Sequence, residues 1–143
     1  MSESMSSLAT TAYKLTGIIP PRVEIVSMLE VGIDLVDLDV FRPKACFSNA
    51  YLLSLLVPGA EYVEGEVLFN GLSIIHAWNY FQEKHFDITY ELFSPTEVKA
   101  PHFVFVQGLT SDLEEQGYKL NHHIDLFTQK LNKEKRVTKR NPW

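Results

Sequence analysis

Cys46, His76 and Asp87 are the residue types that thiol chemistry needs, in an order that suits it. A thiol is a weak nucleophile until it ionises, and the thiolate is favoured in the first turn of a helix, where unsatisfied N–H groups attract negative charge. A neighbouring imidazole takes the proton and later returns it to a leaving group. A carboxylate on the far ring nitrogen fixes the ring and stabilises its charged form. Together such groups transfer acyl groups: Cys46 would attack a carbonyl, His76 would serve as base and acid, and Asp87 would orient the ring. Each residue alone has a plainer reading. A lone cysteine is commonly a small buried hydrophobe, a lone histidine a hydrogen-bonded core residue, and a lone aspartate a turn or cap. The functional reading therefore rests on convergence.

The elements around the three residues allow it. Arg42-Pro43 and Pro58-Gly59 bracket a predicted helix on which Cys46, Ala50, Leu53 and Val57 share a face, so Cys46 stands in the first turn. Tyr62–Phe69 and Leu72–Phe81 are β-prone runs joined by Asn70-Gly71, a strong short-range hairpin signal. That link pairs Phe69 with Leu72 and Gly65 with His76, and puts Val63, Gly65, Val67, Phe69, Ile74, His76, Trp78 and Tyr80 on one side of the sheet. His76 is the polar exception there, and the glycine opposite is expected to leave it room. A third strand is expected over Phe86–Leu92, after a turn within Gln82–His85. With Gln82-Glu83 as the turn, Asp87 lies diagonal to His76, at about 7 Å between backbones. His102–Gln107 reads as a fourth strand, followed by a short helix over Asp112–Tyr118. Pro20-Pro21 opens an expected first helix that ends at Gly32, and a last helix is expected from near Asn121, with Ile124, Phe127 and Leu131 on one face.

At these residues the chain resembles the transglutaminase-like branch of papain-like thiol enzymes. The resemblance rests on Cys46-x-x-Asn49-Ala50, Tyr62-Val63-Glu64-Gly65, His76-Ala77-Trp78-Asn79 and Asp87-Ile88-Thr89, and covers about residues 41–92. It is also similar to short bacterial and phage proteins with the same pattern. Lys44-Ala45 stands where the family places Gly or Trp. The resemblance implies Cys46 as nucleophile, His76 as general base and acid, Asp87 as orienting carboxylate, a papain- or transglutaminase-like core, and a protein or peptide substrate. The Cys46 N–H is a candidate oxyanion donor. Asn49, Trp78 and Asn79 are candidate substrate or oxyanion contacts, with Asn49 equally suited to anchoring the preceding loop and Trp78 to packing under the imidazole.

The whole chain supports one domain. Its 143 residues, 45% apolar and 22% charged, suffice for a core without staples. A single cysteine excludes an internal disulfide and a four-cysteine zinc knot. The net charge of −5 hides an asymmetry: six of the 13 basic residues fall in the last fourteen positions, leaving 7 basic and 17 acidic residues in the first 129. Such an acidic body is a poor phosphate-backbone binder, and the basic tail over 133–143 reads as a solvated helix end. No apolar run is long enough to span a membrane. The polar, Ser/Thr-rich first twelve residues are expected to fray and show no secretory pattern. A cytoplasmic setting is expected, which a leaderless secretion route would leave unmarked. His122-His123 chelate poorly as helix neighbours, and His85 and His102 read as surface or edge residues. Asp34, Asp37 and Asp39 lack the glycine and final glutamate of a calcium loop. No metal or cofactor is expected, and oligomeric state is left open. The expected architecture is α+β: an antiparallel sheet of three to four strands packed against the Cys-bearing helix, with extra helices at both ends. The alternative to an enzyme is a non-catalytic binding or inhibitor module on the same scaffold.

Overall fold

A computed structural model describes residue 17 and residues 19–35, 37–69, 72–94, 100–120 and 125–140, with side chains as far as 133. The N-terminal stretch expected to fray, the Asn70-Gly71 link, His122-His123 and the side chains of much of the basic tail lie outside the described residues.

Six strands form one mixed sheet: β1 (Arg22–Val23), β2 (Ile25–Val26), β3 (Glu61–Phe69), β4 (Leu72–Phe81), β5 (Lys84–Phe86) and β6 (His102–Gly108), in the order β1-β6-β3-β4-β5-β2. All pairings are antiparallel except β2 with β5. The two outermost strands, β1 and β2, are separated by one residue, Glu24, so the sheet curls until its edges nearly meet. This near-barrel corrects the expected antiparallel sheet of three to four strands laid on the Cys46 helix, and with it the layered papain- or transglutaminase-like core. The expected N-terminal helix is mostly absent. Val23, Ile25 and Val26 are β-branched and extend the two sheet edges instead, leaving only α1 (Met28–Val31), which stops at Gly32 with φ 81°.

The central hairpin has the register that a two-residue link requires, from Phe69 opposite Leu72 to Glu61 opposite Tyr80. Gly65 faces His76 but makes room for something else. A Cβ there would lie 1.8 Å from the Phe103 carbonyl oxygen and 2.9 Å from the Trp78 ring. The glycine thus lets β6 approach closely where the β3–β6 register shifts and Phe105 drops out of the pairing.

The inner side of the curl holds Val63, Val67 and Trp78, joined by Val23 and Ile25 from the two edges and by Val104. The outer side carries Tyr62 and Ala77 under α2 (Cys46–Leu56), α4 (Thr110–Glu115) and α5 (Leu126–Arg140), with Ala50, Leu113, Leu126 and Phe127 in the contact. Leu53, one turn beyond Ala50 on α2, is fully buried in a separate cluster with Phe86 and Ile88. The helix thus wedges between sheet and α3 (Ile88–Phe93). That helix occupies most of the span expected as a third strand, because Asp87 caps it. Helix α5 begins at Leu126, where the Asp125 side chain accepts from Thr128 N–H at 2.6 Å. Among the described residues no helix is long and apolar enough to cross a membrane.

Candidate active site

His76 projects from β4 on the inner side, beside Trp78. Its setting follows from the shortness of β5, which pairs with β4 only over Asn79–Phe81. Among the described residues the stretch of β4 holding His76 has no strand on that flank. The chain leaving β5 and the first turn of α2 occupy it instead.

Gln82 and Glu83 both take positive φ, 53° and 64°, as a tight two-residue turn requires, and they deliver Asp87 just beyond Phe86. Asp87 is fully buried and does two jobs. Its Oδ1 accepts from Tyr90 N–H at 3.2 Å, capping α3, and its Oδ2 accepts from His76 Nε2 at 2.7 Å. The cap therefore aims the carboxylate at the imidazole. Tyr90 stacks on the His76 ring at 4.5 Å between centroids, and Trp78 lies near parallel at 6.3 Å.

Cys46 opens α2, is half-buried, and its side chain lies close enough to His76 to help raise the imidazole. With Nε2 given to Asp87, Nδ1 is the ring atom left for the sulfur. Ala45 offers no side-chain cap to the amides at this helix start. Lys44, where the resembling family places Gly or Trp, takes a left-handed φ of 60°, a conformation that glycine adopts more readily. The three residues singled out from sequence thus lie together, with the ring in the middle.

Their charges are coupled. Burial alone would push His76 down, but the Asp87 charge and hydrogen bond, and then the Cys46 sulfur, outweigh it and raise the imidazole to about 10. Burial likewise opposes ionised Asp87, yet His76 and His102 hold its carboxyl well below the usual carboxylate range. An imidazolium then faces the sulfur at neutral pH, the arrangement that stabilises a thiolate.

His102 is the residue that sequence reasoning missed. Read there as a surface or edge histidine, it is fully buried at the start of β6. Its Nε2 meets Asp87 Oδ2 at 2.8 Å and its Nδ1 meets the Ala100 carbonyl at 2.7 Å. Pairing with Val67 of β3 puts it on the inner side, and no local pattern announces that pairing. His85 is half-buried rather than exposed. Its Nδ1 accepts from Trp78 Nε1 at 3.0 Å, and burial, then the charge of His102, push it down to about 4.

The donor atoms of His76, Asp87 and His102 lie within 4.8 Å of one another, the geometry of a three-ligand cluster. Both N···O separations, 2.7 and 2.8 Å, are hydrogen-bond lengths. Tetrahedral zinc, with bonds of about 2.0–2.1 Å, holds its ligand atoms about 3.3 Å apart, so the set would have to spread to admit the ion.

The other candidate contacts are engaged inside the fold. Asn49 bonds Arg42 N–H at 3.0 Å, the Arg42 carbonyl at 2.8 Å and Thr89 Oγ1 at 3.0 Å, tying the loop before Cys46 to α3. Trp78 is fully buried. Asn79 lies on the outer side and donates to the carbonyls of Ala50 and Glu61, while its Oδ1 has no partner. No family model, curated protein or solved structure matches the chain.

Proposed function

We propose that the chain is a thiol-dependent acyl-transfer enzyme, a hydrolase, deamidase or transferase acting on amides or thioesters. The observation that carries this reading is one imidazole, His76, set between a helix-opening, half-buried thiol and a buried carboxylate. In the reaction the Cys46 thiolate attacks the carbonyl carbon. The His76 Nδ1 proton passes to the departing nitrogen or sulfur, leaving an acyl-enzyme. Water or an amine, deprotonated by His76, then attacks the thioester carbon and releases Cys46. Asp87 stays ionised throughout and holds the ring by its Nε2–H. The Cys46 N–H faces the developing oxyanion. The resemblance of residues 41–92 to transglutaminase-like enzymes supports the assignment and favours a protein or peptide substrate. A catalytic lone thiol suits a reducing, cytoplasmic compartment.

Iodoacetamide labelling of the full chain near neutral pH tests the proposal. Cys46 is expected to react at least about tenfold faster than a thiol peptide, and His76→Ala to slow the reaction at least about tenfold. Labelling at the peptide rate, unaffected by His76→Ala, would reject the enzyme and favour a binding or inhibitor module.

A further inference from the structure

We infer that His102 is a positioning residue of this site, a second cationic imidazole that shares Asp87 Oδ2 with His76 and so sets how firmly His76 keeps its proton. The inference rests on the acyl-transfer reading and deepens it.

The argument starts from donors and acceptors. Ala100 O and Asp87 Oδ2 can only accept, and they meet the two ring nitrogens of His102 at 2.7 and 2.8 Å. A neutral imidazole has one N–H and satisfies one acceptor; the doubly protonated ring satisfies both. His102 is fully buried, and its two ring nitrogens are spent on these two acceptors. Asp87 Oδ2 therefore receives two imidazole N–H groups at similar lengths, from rings set 78° apart with centroids 6.0 Å from each other.

The arrangement has a chemical consequence. A carboxylate paired with His76 alone would hold the imidazolium so firmly that return of its proton to a leaving group near neutral pH would be slow. A second cation on the same oxygen takes up part of that pull and raises the cost of a charge on His76. It also fixes Asp87 from the side opposite the Tyr90 cap. The hydrogen bonds of His102 run to Ala100 and Asp87, so it acts on His76 through Asp87.

The test reads the imidazoles directly. Histidine 15N NMR of the full-length wild-type protein at pH 7 is expected to show both His102 nitrogens protonated. In His102→Gln, whose amide can donate to Asp87 without charge, the His76 titration midpoint is expected to move up by about one pH unit. A merely structural His102 would leave that midpoint in place, or lower it by loosening Asp87; either result overturns the inference. A neutral His102 in wild type overturns it too, and needs no variant to fold. Failure of the underlying reading shows elsewhere, as wild-type Cys46 labelling at the thiol-peptide rate. That result would leave His102 positioning an idle site while the His76 shift stayed intact, so the two failures are told apart.

Discussion

Two buried carboxylates, one on each side of the sheet, make an instructive pair. Asp87 on the inner side and Glu64 on the outer side are each about fully buried, and each accepts from a backbone N–H at the start of a helix. Among the described side chains Asp87 also meets two imidazoles, whereas Glu64 meets the Tyr62 hydroxyl, at 3.0 Å. The charges part accordingly. Asp87 is held below the carboxylate range by cations that outweigh its burial. Glu64 is pushed up to about 7 because burial outweighs the Leu126 and Phe127 amides that oppose it. Burying an acid is therefore not enough to make a site. What distinguishes the inner side is an exchangeable charge beside the acid and, through His76, a thiol that reaches the surface.

Removing the acid that holds two cations is expected to have the largest effect. Asp87→Ala strands His76 and His102 and uncaps α3, and should cost about 3–5 kcal/mol, the range for breaking a buried pair by deleting one partner. Urea denaturation at pH 7 measures it, and the same sample should lose the rapid labelling of Cys46. A loss below about 1 kcal/mol would mean that the inner network is no more demanding than an ordinary hydrogen bond.

The pH dependence of stability follows next. His76 has its folded value raised from 6.5 to about 10, so its contribution is full below about 6.5 and disappears as pH rises through about 10. Asp87 is lowered, so its contribution is full above the ordinary carboxylate range and fades as pH falls through and below it. Thermal melts of wild type and His76→Asn should therefore converge between about pH 6.5 and 10. A constant gap across that window would show that His76 is not held charged in the folded protein.

How much of this was legible beforehand depends on whether the information was local. Helix α2 was bracketed by Arg42-Pro43 and Pro58-Gly59, and its apolar spacing put Cys46 in the first turn, as found. The His76–Asp87 relation came from strand parity through a Gln82-Glu83 turn, and that turn is present. Parity was enough even though the expected third strand gives way to α3, because Asp87 is the residue at which strand becomes helix. The near-barrel was not legible. Arg22–Val26 scans as the start of a helix, and only pairing with β6 and β5, each about sixty to eighty residues away in sequence, makes strands of it. Gly65 leaves space not for His76, as expected, but for the β6 backbone, which no local pattern names. His102 was missed for the same reason: its partner Asp87 is brought to it by a long-range pairing with β3.

Glu64 sharpens the comparison from the other side, with the smallest expected change. Its folded value is raised from 4.5 to about 7, so the unfolded chain releases this proton first and wild-type stability falls as pH rises between those values. Glu64→Gln keeps an oxygen for Phe127 N–H and faces Tyr62 with an amide, to which the hydroxyl can turn as acceptor. At pH 7, where the acid is about half protonated, the exchange should change stability by no more than about 1 kcal/mol. Between about pH 4.5 and 7 the variant should gain on wild type, because it has no proton to lose, and above that range the gap should level off. Melts from pH 5 to 8 would show this as a flatter curve, with Cys46 labelling unchanged throughout. Were Glu64→Gln instead to slow labelling as much as Asp87→Ala does, the two sides of the sheet would be one electrostatic unit, and the separation drawn between a charged network and a helix cap would fail.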